Sequence, residues 1–419
     1  MRILVAEDER ITRRTLQKHL EGWGHDVVAA EDGAVAWSQF QQQSFDIVVT
    51  DWDMPRMDGR ELIECIRRSG QSSYTYLIML TGRSEKADLV AGMEAGADDF
   101  LAKPFDRNEL RVRLNAGERI IRLERSLAAQ NSALSQANER MKRDLDAAAA
   151  VQRDLLPTDL PKSLAASFAW HFEPCDELGG DILNILPLND DSVAMYLLDV
   201  TGHGVPAALL AVTVSNVLTT RDPSASILVT QDPNQNVPTI RPPGEVAEHL
   251  NRQFPMEAHG GRFFTMAFAV LNTKTRVLRY VIAGHPPPIL VRDGCSPQQL
   301  KGGNLPIGIA DDVVFEEESI QLEPGDRLYF YSDGMTEAVN DQGVMLEVEG
   351  LVRLIARTQS NSFKTSVVRC TEELKSWCES APLADDISLL ALECPIANCT
   401  NPVHHEVHAT TPHRPSSPS

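Results

Sequence analysis

Five short apolar runs in the first 116 residues constrain the fold of this chain most strongly. Each run is continuous rather than alternating, and helix-like stretches separate successive runs. Continuous apolar strands are typical of a parallel sheet covered by helices, because both sides of every strand are then buried. We therefore predict an α/β, doubly wound domain with a five-stranded parallel sheet. The predicted strands are 3–6, 26–30, 46–50, 76–80 and 99–102.

Charged and hydroxyl side chains follow four of these runs. Glu7 and Asp8 follow the first run, Asp51 the third, Thr81 the fourth and Lys103 the fifth. The carboxyl ends of parallel strands border the binding crevice of such a sheet, so three carboxylates are expected to meet there. They would repel one another without a cation between them, and oxygen ligands favour a hard ion such as Mg²⁺. A lysine and a hydroxyl group opposite could then receive a phosphoryl group.

The stretch VVTDWDMPRMDG (48–59), with these residues at the strand ends, resembles a response-regulator receiver domain. The resemblance implies a flavodoxin-like fold over residues 1–116, with Asp51 as the phosphoacceptor and a sensor histidine kinase as a partner. The implied Mg²⁺ ligands are Glu7, Asp8, Asp51 and the backbone carbonyl of Asp53. The implied phosphoryl-binding and switch residues are Thr81, Lys103 and Phe100.

Residues 117–156 lack strand signals and carry an apolar repeat of seven residues. Such a repeat is typical of a coiled coil, although Gln130 and Asp144 interrupt its companion position. One interpretation is a long amphipathic helix packed on its own domains. The other, which we favour, is a parallel homodimeric stalk in which polar residues fix the register. The repeat positions are Ile120, Leu127, Leu134, Met141, Ala148 and Leu155, with Leu123, Ala137 and Val151 at the companion position.

Residues 157–394 alternate strands of mixed polarity with turns rich in Gly, Pro and Asn. This pattern predicts an α+β domain, with a mainly antiparallel β-sandwich flanked by helices. Residues 221–243 are predicted to form a surface loop. The predicted strands are 167–172, 192–199, 263–271, 276–283, 326–333 and 386–392. The predicted helices are 205–219, 244–254, 349–357 and 363–378.

Aspartates gather at the ends of these predicted strands. Taken singly each is weak evidence, because Asp-Gly pairs are common in turns. Taken together they could hold two divalent cations about 4 Å apart and activate a water molecule between them. The set is Asp181, Asp199, Asp333, Asp385 and Asp386.

His203 lies in a Gly-His-Gly turn directly after Asp199, but the aspartate is expected to carry the chemistry. A histidine base would need a positioned serine or cysteine, and no Gly-x-Ser-x-Gly sequence is present. A zinc site would need further His or Cys ligands at suitable spacing. We therefore predict that His203 is a turn residue at the start of a helix.

The stretches ELGGD, LLDVTGHG, AGHPPPIL, YSDGMTEA and DDISLL lie in this order between residues 147 and 394. They resemble the type 2C metal-dependent serine/threonine phosphatases, in the bacterial SpoIIE/RsbU-like branch. The resemblance implies two Mn²⁺ or Mg²⁺ ions bridged by Asp199. Asn184 departs from many members, which carry a second acidic residue there. The implied ligands are the carboxylates of Asp199, Asp333 and Asp385, that of Asp181 either directly or through bound water, the less favoured Asp386, and the backbone carbonyl of Val200.

Composition excludes several other functions. A net charge of −20 disfavours binding to nucleic acid or to an anionic membrane, and no segment approaches the ~20 apolar residues of a membrane helix. Seven cysteines without a Cys-x-x-Cys pair suit a reducing cytoplasm, which the resemblance implies is bacterial. Residues 395–419 are expected to be a disordered tail. The alternative for the tail is a metal site formed by Cys394, Cys399, His404, His405 and His408.

The two resemblances together predict a two-component response regulator with protein serine/threonine phosphatase output. Phosphorylation of Asp51 would control metal-dependent hydrolysis of phosphoserine or phosphothreonine. The implied substrate is a phosphorylated anti-sigma-factor antagonist of the STAS type. The alternative is a non-catalytic, phosphorylation-controlled scaffold with a phosphatase-like fold. A DNA-binding regulator is disfavoured, because the charge is negative and no helix-turn-helix pattern follows the first domain.

Overall fold

The computed structural model describes residues 1–70, 73–82, 92–158, 166–219, 226–230 and 239–394. The chain divides into two compact units, Met1–Met141 and Lys142–Ser419. The predicted tail 395–419 and its alternative metal site lie outside the described residues, apart from Cys394. Within those residues, no helix is both long enough and apolar enough to cross a membrane.

The first unit contains the predicted five-stranded parallel sheet, in the strand order β2-β1-β3-β4-β5. Alternate residues of β1 belong to two different apolar clusters, Leu4 to one and Ile3 to the other. Both faces of the sheet are therefore buried, as the continuous apolar runs predicted. The strands are β1 Arg2–Ala6, β2 Asp26–Ala30, β3 Ile47–Asp51, β4 Tyr76–Thr81 and β5 Asp99–Ala102. The first helices are α1 Arg10–Gly22, α2 Gly33–Gln42 and α3 Gly59–Arg68.

A single helix of 47 residues, α4 (Arg107–Arg153), connects the two units. Leu110, Leu114 and Ile121 on its N-terminal part are buried in the apolar core of the first unit. Residues 122–144 are all exposed. The predicted boundary between residues 116 and 117 therefore lies inside a continuous helix. The predicted connector begins within the part of α4 that packs on the parallel sheet.

The second unit is built on two five-stranded antiparallel sheets. Their strand orders are β15-β12-β11-β8-β7 and β14-β13-β16-β17-β6. The strands are β6 Ser167–Glu173, β7 Asp181–Asn189, β8 Ser192–Val200, β11 Phe264–Asn272, β12 Val277–Ala283, β13 Ile289–Val291, β14 Gln298–Gln299, β15 Glu318–Gln321, β16 Arg327–Tyr331 and β17 Ile387–Glu393. A separate ribbon, β9 Val229–Thr230 and β10 Thr239–Ile240, lies in the predicted loop. The helices are α5 Val205–Val217, α6 Pro243–Gln253, α7 Asp333–Glu337, α8 Glu347–Thr358 and α9 Phe363–Cys378, with a 3-10 turn at Met256–His259.

An apolar layer between the two sheets forms the centre of this unit. Leu197 and Ala267 of the first sheet and Phe330 and Leu390 of the second all belong to it. The outer face of the first sheet is covered by α5 and α6, and that of the second sheet by α8 and α9. The predicted β-sandwich flanked by helices is therefore confirmed.

Several details of this unit differ from the sequence prediction: β13, β14 and β15 were not among the predicted strands, and two further differences concern the acidic residues. The strand β7 was not predicted, because Pro187 interrupts its pattern; β7 lies at the edge of its sheet, where proline is tolerated. The predicted strand 326–333 ends at Tyr331, and Asp333 is instead the first residue of α7.

Candidate functional site

The predicted receiver pocket forms at the carboxyl ends of the parallel strands. Glu7, Asp8 and Asp51 present oxygens within 4.8 Å of one another. Lys103 Nζ lies 2.7 Å from Glu7 Oε2 and 2.8 Å from Asp51 Oδ2. Burial raises the pKa of Glu7; the hydrogen bond from Lys103 opposes this shift, and the charge of Asp51 adds to it. Burial alone would lower the pKa of Lys103, but its bonds to Asp51 and Glu7 leave it raised.

The other predicted receiver residues surround this pocket. Thr81 is the last residue of β4 and is buried, and its carbonyl accepts a 2.7 Å hydrogen bond from the backbone N–H of Lys103. Phe100 is half-buried and packs on an apolar cluster of the sheet. Asp53 is exposed two residues after Asp51. The roles given to these residues by resemblance stay predictions.

A row of three polar residues crosses one end of the first sheet in the second unit. Asp181 of β7 lies opposite Asp199 of β8, and Asp199 lies opposite Thr265 of β11. Directly opposed residues of antiparallel strands share a face. Since Leu183 and Leu197 belong to the layer between the sheets, alternation places the row on that inner face. The two aspartates therefore occupy core-facing positions where the apolar layer ends.

Asp333 and Asp385 come from the second sheet, after β16 and before β17. Burial raises the pKa of Asp199 to about 8, with the charges of Asp333 and Asp385 as the next causes. Burial and Asp385 raise the pKa of Asp333 to about 6. Burial also raises the pKa of Asp385, while the charge of His203 lowers that pKa. Carboxylates from both sheets thus act on one another, as the sequence predicted.

Asp181 is the most deeply buried member of this set, with 1% of its surface exposed. Burial raises its pKa well above the usual range, and the charges of Asp199 and Asp386 add to that shift. The hydroxyls of Ser388 and Ser332 partly oppose it. The Oδ2 atom of Asp181 has no hydrogen-bond partner. A buried carboxylate oxygen without a partner is costly, and coordination of a cation would satisfy it.

Asp386 holds the two sheets together at this end. Its Oδ2 accepts a 3.1 Å hydrogen bond from the backbone N–H of Asp181, and its Oδ1 accepts a 2.8 Å bond from that of Cys175. Cys175, Asp385 and Asp386 also present ligand atoms within 4.8 Å of one another. Burial raises the pKa of the Cys175 thiol to about 12, so that it is protonated at neutral pH. Asp386 thus has a positioning role in this structure, and its predicted metal role stays a prediction.

Two glycines allow the backbone around Asp181 to pack closely. A Cβ on Gly179 would lie 2.6 Å from Asp386 Oδ2, and one on Gly180 would lie 2.9 Å from the Val200 carbonyl oxygen. The carbonyl of Val200, a predicted ligand, therefore lies beside the Gly-Gly-Asp turn. Larger residues at 179 and 180 would push these groups apart.

The C-terminal end of α4 is bonded to the same turn. Gln152 is 3% exposed; its Nε2 donates to the carbonyl of Gly179 at 2.7 Å, and its Oε1 accepts from the N–H of Gly179 at 3.2 Å. Asn184 donates to the carbonyl of Leu155 at 2.8 Å. Alternation along β7 places Asn184 on the face opposite to Asp181, so the departure from the family pattern at 184 does not remove a ligand from this face.

His203 lies in the turn before α5, as predicted. Its Nδ1 is 2.9 Å from Asp176 Oδ2, and its side chain is 74% exposed. The flanking Gly202 and Gly204 have φ values of 86° and 76°, which favour glycine. His203 is therefore exposed at the edge of the acidic cluster and paired with a carboxylate.

Sequence reasoning missed several residues of this site. Gln152, Ser332 and Ser388 were not singled out, because a buried Gln or Ser has no spacing signature. Thr265 lay within the predicted strand 263–271, and Ser332, Ser388 and His285 lay within stretches that were quoted only for their resemblance. For two of them the available signal was positional, since Ser332 directly precedes Asp333 and His285 directly follows Gly284.

Comparison with known families agrees with this division of the chain. The model of the response regulator receiver domain matches residues 3–115. The model of stage II sporulation protein E (SpoIIE) matches residues 189–395, a range that includes Asp199, Asp333 and Asp385 but begins after Asp181.

Individual proteins match parts of the chain. Response regulator MprA of Mycobacterium ulcerans is 38% identical over 135 residues, which is 32% of this chain and 57% of that protein. The SiaA-PP2C domain of Pseudomonas aeruginosa is 21% identical, covers 61% of this chain and 98% of that chain, and has a TM-score of 0.49. The structure of the RsbU and RsbW domains of Rv1364c from Mycobacterium tuberculosis is 26% identical. The match covers 55% of this chain and 60% of that chain, with a TM-score of 0.44.

The chain spans about half the length of the curated relatives that it matches. Its two matched segments coincide with the parallel receiver sheet and with most of the antiparallel sandwich. The chain therefore combines a response regulator receiver domain with a SpoIIE PP2C-like phosphatase domain.

Proposed function

We propose that this protein is a response regulator whose output is metal-dependent hydrolysis of phosphoserine or phosphothreonine on a regulatory protein. The observation that carries the proposal is the row of Asp181 and Asp199 on the inner face of one sheet, with Asp333 and Asp385 facing it from the other. A set of carboxylates that raise one another's pKa is suited to binding cations and unsuited to a structural role alone.

The residues present fit two divalent ions in the phosphatase domain. The donors are all oxygens, which favours Mn²⁺ or Mg²⁺, and the unpartnered Oδ2 of Asp181 supplies a buried ligand atom. Asp199 would bridge the ions, with Asp333, Asp385 and Val200 around them. Bound ions would supply Lewis-acid activation of water and neutralise charge on the phosphoryl group. The protein itself fixes the spacing of the carboxylates and excludes bulk water from Asp181.

The receiver pocket fits one Mg²⁺ ion and a phosphoryl group. Glu7 and Asp8, with the Asp53 carbonyl, would hold the ion beside Asp51, the phosphoacceptor for a sensor histidine kinase. Lys103 already contacts Asp51, so its ammonium group is placed to neutralise a phosphoryl oxygen. The Thr81 hydroxyl would bind another oxygen of the phosphoryl group, and Phe100 would change its position when Asp51 is phosphorylated.

The substrate that we propose is a phosphorylated anti-sigma-factor antagonist of the STAS type. The match to the SpoIIE model supports it, as does the similarity to a protein described by its RsbU and RsbW domains. The bacterial relatives are consistent with a cytoplasmic location. The competing proposal, a non-catalytic scaffold, does not explain why the domain bears the energetic cost of burying a row of carboxylates.

The helix α4 provides a direct connection for control of the output. Leu110, Leu114 and Ile121 anchor it in the receiver core, and Gln152 bonds it to Gly179, two residues before Asp181. An uninterrupted helix transmits rotation or a change of packing, whereas a flexible linker absorbs it. We propose that phosphorylation of Asp51 activates the phosphatase through this helix.

The exposed part of α4 is proposed to pair with a second copy of this chain. Its heptad positions Leu127, Leu134 and Met141 are 53%, 61% and 59% exposed, and Leu123 and Val151 are each 61% exposed. Large apolar residues on one seam of a solvated helix are stabilised by burial in a parallel coiled coil.

Removal of metal is expected to make the stability of the phosphatase domain fall as pH rises. The folded-state pKa of Asp199, about 8, lies above its unfolded value of 3.8. The folded state therefore binds more protons between these values. The stabilising contribution of Asp199 is fully present below pH 3.8 and is lost as pH rises to about 8. Thermal melts of the full chain in EDTA should show this loss between pH 6.5 and 8, at up to about 1 kcal/mol per pH unit. Addition of Mn²⁺ should abolish this dependence of stability on pH, and Asp199→Asn should weaken it. An equal change of stability per pH unit with and without Mn²⁺ would contradict the proposal.

Asp333→Asn should lower turnover of p-nitrophenyl phosphate by orders of magnitude, because it removes a ligand charge at nearly constant volume. The matched control is Asp311→Asn, which changes an exposed aspartate outside the site. Activity is expected to require Mn²⁺ or Mg²⁺ and to be lost in EDTA. A variant within a few-fold of the wild type would show that Asp333 is only a helix-start residue.

The phase of the α4 repeat should decide whether the receiver controls the phosphatase. Beryllofluoride, which mimics a phosphoryl group on Asp51, should increase turnover by the full-length protein. Inserting four residues after Gln130 shifts the heptad phase and should remove this response while basal turnover stays. A seven-residue insertion at the same place keeps the phase and should preserve the response. Equal responses in both insertions would mean that α4 is only a tether.

Replacing Leu127 and Leu134 by glutamate should dissociate the proposed dimer, because each charge would be buried against its own copy. Sedimentation of the full chain would show the change from dimer to monomer. The control replaces the exposed Arg119 and Glu139 by alanine. A wild-type protein that sediments as a monomer at micromolar concentration would disprove this stalk.

A further inference from the structure

His285 lies at the chain crossing between the two sheets of the phosphatase domain. It follows β12, the last strand of the first sheet before the crossing, and precedes β13 of the second sheet. Its side chain is almost entirely buried, with 4% of the residue exposed. Neither the proposed metal ligands nor the proposed control helix explains why an imidazole is buried at this place.

The first contact of His285 leads to the row of aspartates. Its Nδ1 is 2.7 Å from Thr265 Oγ1. Thr265 lies directly opposite Asp199 across the β11–β8 pair, and Asp199 lies opposite Asp181. His285 therefore contacts the third member of the inner-face row at the end of the first sheet.

The second link between His285 and the other sheet runs through the chain itself, because β13 begins four residues later at Ile289 and pairs with β16 opposite Tyr329. Burial lowers the pKa of the imidazole to about 3, and the backbone of Tyr331 acts in the opposite direction. The Nε2 atom makes no hydrogen bond of normal geometry. Tyr331 is the last residue of β16, two residues before Asp333. The ring is thus neutral, and it ties the chain segment that enters β13 to the strand that carries Thr265.

A neutral imidazole has one donor and one acceptor nitrogen. The Thr265 hydroxyl can donate to Nδ1 or accept from it, so either tautomer keeps this link. A phenyl ring would fill similar space without the cost of burying two polar nitrogens.

We propose that His285 is a positioning residue of the acidic site, which joins Thr265 on β11 to the segment that enters β13, the partner of β16, and so fixes the spacing between Asp199 and Asp333. The proposal rests on the proposed metal-dependent function, because the spacing matters for two bridged ions. Replacing residues that orient metal ligands without contacting the metal typically weakens metal affinity by about 10- to 100-fold.

Three substitutions in the full chain test this role. Thr265→Val removes the hydroxyl at constant shape, His285→Phe removes both ring nitrogens, and His285→Asn keeps a polar atom near the position of Nδ1. Tyr329→Phe is the matched control, since it removes a 3.0 Å hydrogen bond to Ser366 that is equally buried on the outer face of the second sheet.

Mn²⁺ binding, measured by electron paramagnetic resonance, is the first readout. We expect Thr265→Val and His285→Phe each to weaken it about tenfold, and the double variant to be no weaker than either single variant, because both remove the same link. His285→Asn should stay within about threefold of the wild type, and Tyr329→Phe should not change. Folded Thr265→Val protein with wild-type Mn²⁺ affinity would overturn the proposal, even if His285→Phe failed to fold.

Amide hydrogen exchange of the protein in EDTA is the second readout, and it needs no activity. Thr265→Val should increase exchange around residues 263–266 and 330–334, while Tyr329→Phe should leave both segments unchanged. Unchanged exchange in Thr265→Val would also count against the link. A wild-type protein that binds Mn²⁺ but hydrolyses no phosphoester would refute the proposed function and leave this test intact.

Discussion

The cost of burying like charges governs the structure of the phosphatase domain. Two sheets pack their inner faces through an apolar layer, and at one end the same face carries Asp181 and Asp199. Desolvation and mutual repulsion raise the pKa values of these groups. The surroundings reduce that cost with fixed dipoles: the hydroxyls of Ser332 and Ser388 act on Asp181. Gly179 and Gly180 allow close packing around Asp181, and the hydrogen bonds to Asp386 hold the backbone of Asp181 and Cys175 in place.

The two acidic sites of the chain balance their charge differently. In the receiver, Lys103 contacts both Glu7 and Asp51, so part of the negative charge is already neutralised by the protein. In the phosphatase domain, none of the main contributions to the pKa shifts of Asp181, Asp199, Asp333 and Asp385 comes from a lysine or arginine side chain among the described residues. The first arrangement suits transfer of a phosphoryl group to a carboxylate, and the second suits capture of free cations.

Much of this structure could be predicted from local sequence. Continuous apolar runs identified every strand of the receiver sheet, and Asp51, Thr81 and Lys103 were predictable because parallel strands end at one edge. The aspartates of the second domain were visible as turn residues, although β7 was hidden by Pro187. What local sequence could not show was the pairing across the sandwich. Gln152, Thr265 and His285 acquire meaning only from partners that are distant in sequence, and no periodicity encodes such contacts.

The hydrogen bond between Asp386 and Asp181 joins residues that are 205 positions apart. It can form only after β17, the last strand of the domain, has inserted between β6 and β16. Contacts of such long sequence separation form late in folding, because closure of the long loop precedes any gain from them. During synthesis the receiver sheet is complete while the phosphatase sandwich still lacks its final strand. A nascent or truncated chain would therefore hold a finished receiver domain beside an unassembled acidic site, so the proposed hydrolysis would have to wait until the whole domain has folded.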